Sequence, residues 1–190
     1  MADNNMQFIP LTSPADRDWT AAWELYLQAF LAKERRAEAD HLRALADPRF
    51  HAEAVRCGDE FIGLLYWWQG PSFRYVEHLA IRPDLRGRNL RLRALRILLP
   101  RRAGDPRNRP PAGRDLDTPP GILPPSGIPR LPCCPYVHPS YSRPFEPHRL
   151  VLMGYPAPLE QEEARRLADF VRRVVLHYTE HRQPTLPRIP

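Results

Sequence analysis

Apolar positions in the first ninety residues switch between two periods. Gln7 to Leu11 reads as a short strand, closed by Thr12-Ser13-Pro14. Ser13 is a good N-cap, Pro14 suits the first helical position, and Asp16 favours the positive end of a helix. Trp19, Ala22, Trp23, Tyr26, Leu27 and Phe30 then recur at spacings of three and four, which predicts a helix with one buried face. A second helix is predicted over Ala37 to Ala46, with His41, Leu42 and Leu45 on its stripe and Asp47-Pro48 as its stop. Three strands follow. His51 to Cys57 alternates and Gly58-Asp59 turns it, while Glu60 to Trp68 is apolar on both faces, as in a central strand. Phe73 to Ile81 alternates again: Phe73, Tyr75, Glu77 and Leu79 are expected on one side, and Arg74, Val76, His78 and Ala80 on the other. The stretch RPDLRGRN then leads into a helical pattern from Leu90 to Leu99.

Beyond Pro100 the pattern stops. Fourteen of the 24 prolines lie between Pro100 and Pro147, and each removes an amide donor, so neither helix nor sheet is expected to run through them. Periodicity returns with a strand at His148 to Tyr155. A last helix follows from Leu159 to His181, with Leu167, Phe170, Val171, Val174, Val175 and Tyr178 on one stripe and Glu160, Glu162 and Glu163 at its start. The chain thus divides into an α/β part at 1–90, an irregular Pro/Arg-rich segment at 91–135, a strand region at 136–158, a helix at 159–182 and a tail at 183–190.

Composition narrows the function classes. No stretch is long and apolar enough for a membrane span, and the first residues lack a basic region followed by an apolar one, so a cytoplasmic setting is expected. Three cysteines, two of them adjacent, fit neither a disulfide framework nor a zinc site. The net charge of +6 suggests nucleic acid until it is located. Arg91 to Phe145 holds ten arginines against Asp105, Asp115 and Asp117, whereas the rest is close to neutral. The excess belongs to the irregular segment and not to a folded basic face, which argues against a nucleic-acid partner.

One stretch carries chemistry. HLAIRPDLRGRNL, His78 to Leu90, resembles the acyl-CoA-binding signature of the GNAT superfamily of N-acetyltransferases, in which a central strand ends and an Arg/Gly-rich turn opens a helix. The order of elements is similar too: strand, two helices, three antiparallel strands, signature turn, helix. Arg86 matches the first position of the signature. Asn89 stands where glycine is usual, and Arg91 where glycine or alanine is usual. Asparagine tolerates left-handed dihedrals; the bulk of Arg91 is the larger departure.

The resemblance implies a GNAT-like α/β fold of α+β type, with central antiparallel strands flanked by helices and a disrupted C-terminal half. It implies acetyl-CoA as cosubstrate and an amine-bearing acceptor, either a small molecule or an amino acid, with a peptide N-terminus and a homodimer left open. Leu79, Ala80 and Ile81 would offer backbone to the pantetheine arm. Leu85, Arg86, Gly87, Arg88, Asn89 and Leu90 would form the phosphate turn, where orphan amides at a helix start attract anions. Glu77, on the strand before that turn, is the expected general base, and a cross-strand ion pair is the competing reading. His78 is expected on the opposite face. Glu34 and Arg35 in FLAKERRA could face the acceptor, or belong to a solvated charge run. Tyr136 and Tyr141 read as loop aromatics.

The irregular segment suggests its own explanation. Shifting the codon families of Thr118 to Pro129 by one nucleotide permits Arg-Arg-Leu-Ala-Phe-Tyr-His-Arg-Leu-Gly-Phe, similar to the fourth helix and following strand of GNAT proteins. Out-of-frame translation from about Arg91 to Cys134 is one expectation; a natural Pro/Arg-rich insertion is the other. A non-catalytic protein using this segment as a disordered ligand for acidic partners or nucleic acid is the alternative function.

Overall fold

The computed structural model describes residues 6–98, 130–143, 145–154 and 159–180. Its elements are β1 (Met6–Pro10), α1 (Trp19–Ala29), α2 (Glu38–Leu45), β2 (Phe50–Cys57), β3 (Glu60–Gln69), β4 (Arg74–Ile81), α3 (Leu90–Leu98), β5 (Arg130–His138), β6 (His148–Met153) and α4 (Gln161–Arg173). Short 3-10 turns stand at Ala32–Glu34, Pro83–Leu85 and Val175–Tyr178. The first four strands form one antiparallel sheet in the order β1-β2-β3-β4, and β5 pairs with β6 in a separate antiparallel hairpin.

The start of α1 differs from the sequence expectation. Ser13 and Pro14 lie in a turn, because the Asp16 carboxylate accepts the Thr12 and Ser13 amides at 2.6 and 2.9 Å. Such local side-chain bonds compete with helix formation, and α1 begins only at Trp19. Its buried face is Trp19, Ala22, Leu25 and Tyr26, whereas Leu27, expected on the stripe, is exposed. Leu42 on α2 is exposed as well, and His41 and Ala44 are buried there instead.

The sheet is covered on both faces. On one, Leu64, Tyr66 and Trp68 of β3 pack with Phe50, Ala52 and Ala54 of β2 against α1, α2 and the Val175–Tyr178 turn. On the other, Val55, Ile62, Leu65 and Trp67 pack against Ile81, Leu85 and Leu98. Each large apolar side chain fully buried here contributes about 1.5–3 kcal/mol. This two-sided burial explains why β3 is apolar on both faces. The hairpin packs Tyr136 and Leu152 on Ala164 and Ala168 of α4.

Ordered structure reaches into both ends of the segment read as irregular. α3 occupies Leu90–Leu98, with Ala94 and Leu98 buried, and β5 begins at Arg130. The proline-rich stretch 99–129, which holds the frame-shifted reading, and the tail 183–190 lie outside the described residues. No helix among the described residues is long and apolar enough to cross a membrane.

Candidate functional site

The site is organised by one irregularity in β4. Tyr66 of β3 pairs with His78, but the next residue, Trp67, pairs with Val76, so Glu77 is an extra residue in the ladder. A β-bulge of this kind breaks strict alternation. Its effect can be read residue by residue. Val76 and Leu79 pack on the α3 side, Tyr75 and Ala80 on the α1 side. His78 also lies on the α1 side, with its ring 4.9 Å from that of Tyr26 and 4.5 Å from that of Phe30. Glu77 reaches Trp68 on this same face. The expectation that Glu77 and His78 point to opposite faces is therefore corrected: the bulge turns both towards α1 and α2.

Glu77 ends in a closed network. Its carboxylate pairs with Arg36 at 2.7 Å through Nη2 and accepts from Nη1 at 2.9 Å. Trp68 Nε1 donates to it at 2.7 Å and the Tyr141 hydroxyl at 2.5 Å. Burial alone would raise the Glu77 pKa, but the adjacent Arg36 charge and these donors outweigh it and hold the carboxyl at about 2. Burial and the neighbouring Glu77 charge push the Tyr141 hydroxyl well above its ordinary value.

Arg36 is 2% exposed. Its Nε donates to the Tyr178 carbonyl at 3.1 Å and Nη2 to that of Val175 at 3.4 Å. Its guanidinium lies over the rings of Phe50, Trp68 and Tyr141. A charged group is tolerated at this depth only with such pairing.

A cleft of about 210 Å³ opens over this network. Phe30, Tyr75 and Leu150 supply apolar surface, and Glu34, Glu77, His78, His138, Tyr141 and His148 supply polar groups. The loop carrying Tyr141 is pinned to the α1–α2 connection, since the Tyr141 amide donates to the Lys33 carbonyl at 2.9 Å.

The far end of β4 has a different character. The Arg82 amide bonds to the Ile62 carbonyl at 3.0 Å. With Leu64 opposite Ala80 in the same register, the backbone groups of Ala80 turn towards β3 and those of Leu79 and Ile81 turn away. Among the described residues no strand pairs with that outer edge. The chain then passes through the Pro83–Leu85 turn, where Leu85 is buried, and reaches Gly87 at φ 84° and Asn89 at φ 53°. The first bond of α3 runs from the Arg93 amide to the Asn89 carbonyl at 3.1 Å, so the amides of residues 90 to 92 precede any intrahelical acceptor. Asn89 adopts the left-handed geometry usually left to glycine. Arg91 is exposed, so its bulk does not crowd the turn.

No family model matches the sequence, and no curated protein does. Among solved structures, the chain superposes on a protein of Bacteroides thetaiotaomicron described, as a proposed activity, as an acetyltransferase from the GNAT family. The TM-score is 0.69 at 19% identity, over 90% of this chain and 98% of that one.

The chain has the GNAT fold.

Within that fold, the structure groups the expected residues in two places. Glu77 lies in the cleft. Leu79, Ala80 and Ile81 follow along β4, and Leu85, Arg86, Gly87, Arg88, Asn89 and Leu90 form the turn that opens α3. Several residues of the buried network and of the cleft above it escaped sequence reasoning. Arg36 sat in what looked like a solvated charge run, of which only its neighbours Lys33, Glu34 and Arg35 are partly open to water. Tyr141, His138 and His148 follow the proline-rich segment, where periodicity gives no guide. The one available signal was local density, with His138, Tyr141 and His148 within eleven positions.

Proposed function

We propose that this protein transfers an acetyl group from acetyl-CoA to the amine of a small molecule or amino acid. The observation that carries this reading is the edge of β4 at Leu79 and Ile81, unpaired among the described residues, which leads through the Pro83–Leu85 turn into a left-handed turn at the head of α3 and is flanked by the cleft. In this assignment the backbone of Leu79 and Ile81 holds the pantetheine arm. The amides of the turn at 86–90, with their local positive potential, hold the pyrophosphate. The residues present suit that group: Gly87 and Asn89 accept the dihedrals the turn needs, and Gly87 has open space where a side chain would stand.

Acetyl-CoA supplies an activated thioester. The protein supplies position, exclusion of water and proton transfer. The Glu77 carboxylate already accepts four donor contacts from Arg36, Trp68 and Tyr141. It serves best as a permanently ionised anchor that fixes the Tyr141 hydroxyl, so the proton acceptor is assigned elsewhere in the cleft.

Isothermal titration of the full chain with acetyl-CoA tests the reading. Saturable one-site binding is expected, with a matching rise in Tm. Flat heats from a sample with a cooperative unfolding transition would overturn it.

A further inference from the structure

Two register shifts bracket the part of β4 that follows Glu77. Between β2 and β3, Val55 pairs with Gly63 and Arg56 with Phe61, so Ile62 is an extra residue of β3. Between this bulge and the one at Glu77, residues 63–66 of β3 face residues 78–81 of β4 in unbroken antiparallel register. Gly63 ends that run, opposite Ile81. A glycine inside a strand marks a bulge or a close approach of backbone, and here both hold. A Cβ at position 63 would overlap the Ala80 carbonyl oxygen. It would also stand 2.9 Å from Ile81 Cδ1 and 3.2 Å from Ile81 Cα.

The carbonyl that occupies this space belongs to a peptide unit with two working ends. Its C=O, from Ala80, turns towards β3, and its N–H, from Ile81, turns to the outer edge of β4. The unit is planar and stiff, so a displacement of one end moves the other. A methyl group at 63 finds no relief in a change of rotamer, because the overlapping atom is main chain. The Arg82 amide, bonded to the Ile62 carbonyl at 3.0 Å, holds the next residue of β4 against β3. The movement therefore falls on the Ala80–Ile81 peptide, which must tilt or retreat.

We propose that Gly63 is a positioning residue: by admitting the Ala80 carbonyl, it fixes the angle at which the Ile81 N–H is presented to the cosubstrate. This rests on the acetyl-transfer reading, in which the Ile81 backbone holds the pantetheine arm. Gly63 itself touches no ligand and acts only through β4. Hydrogen bonds weaken steeply with misalignment, so a small tilt of that N–H is felt in affinity.

The test compares Gly63→Ala with Gly58→Ala, a like substitution in the β2–β3 turn. Gly58 has φ 59° and nothing where a Cβ would stand, so this control loses Tm through its backbone alone. Without ligand, Gly63→Ala should shift the Ile81 signal in amide proton–nitrogen spectra, and Gly58→Ala should not. With acetyl-CoA, the calorimetric Kd should rise about tenfold or more in Gly63→Ala and stay unchanged in Gly58→Ala. Adding Ile81→Val to Gly63→Ala removes the Cδ1 contact but leaves the carbonyl overlap, so affinity should not return. An unmoved Ile81 amide, an unchanged Kd or recovery with Ile81→Val would each overturn the proposal. Failure of the unaltered chain to bind acetyl-CoA would instead sink the acetyl-transfer reading, and the ligand-free spectra would still decide whether Gly63 sets this edge. Should Gly63→Ala not fold, the unaltered chain decides. Acetyl-CoA must then move the Gly63 Hα resonances together with the Ile81 amide, and an Ile81 signal that moves alone refutes the coupling.

Discussion

Removing the Arg36 guanidinium should show how much of the molecule leans on one buried pair. The side chains of Arg36 and Glu77 are 0% and 1% exposed. The gap between an ordinary carboxyl at 4.5 and one held at about 2 corresponds to ~3 kcal/mol favouring the ionised form. Arg36→Met strands the carboxylate with only Trp68 and Tyr141 as donors, and frees the carbonyls of Val175 and Tyr178. The expected loss is about 3–5 kcal/mol, the usual result of breaking a buried pair from one side. Glu77→Gln leaves the opposite charge unpaired and should cost a similar amount. The double variant removes both charges, so its loss should fall below the sum of the singles by roughly 2 kcal/mol or more. Urea unfolding at pH 7, read as Cm at constant m, measures this cycle. The pH arm has a definite sign: a depressed carboxyl contributes fully above 4.5 and loses that contribution as pH falls towards 2. The unaltered chain should lose stability across this window faster than Glu77→Gln. Additivity of the single variants within ~0.5 kcal/mol would refute the reasoning, because independent groups do not form a pair.

Two further outcomes follow from single side chains. His41 lies among Trp19, Trp23, Tyr26, Phe50 and Tyr66 with neither ring nitrogen hydrogen-bonded. Burial, assisted by Arg36, lowers its pKa from 6.5 to about 3, so stability present above pH 6.5 should fall as pH drops towards 3, by ~2 kcal/mol at pH 5. His41→Leu should flatten the dependence of Tm on pH between 6.5 and 4.5; an unchanged slope would contradict the account. At the head of α3, Asn89→Gly should preserve Tm and acetyl-CoA affinity, whereas Asn89→Val should cost ~1–2 kcal/mol for a left-handed β-branched residue and weaken binding by calorimetry. Equal behaviour of the two variants would show that the dihedral at 89 is not what the turn needs.

The elements of the first ninety residues were readable because each buries one side against a partner that the same stretch supplies. Trp19, Ala22 and Tyr26 at helical spacing announce α1, though the Asp16 turn delays its start from Pro14 to Trp19, and Phe61 to Trp68 without a polar face announces β3 within a residue or two. Periodicity fails where the ladder itself slips. A two-residue repeat placed His78 opposite Glu77, and only pairing with β3 reveals the inserted residue. It fails again for Arg36, since a cation among Lys33, Glu34 and Arg35 looks solvated until Glu77, Tyr141 and Tyr178 arrive from distant positions. The cleft was half legible for the same reason. Glu77 came from its place before the signature turn, while His138, Tyr141 and His148 depend on how the hairpin docks, which no local pattern encodes.

The guanidinium at position 36 also sets an order of events during synthesis. Its carbonyl acceptors at 175 and 178 are made long after β4, so the nascent sheet holds the Arg36–Glu77 pair before those acceptors exist. The network can acquire its final shape only after the Val175–Tyr178 turn has emerged and closed over it, and a product cut short before that turn would keep the sheet without the acceptors that complete its buried pair.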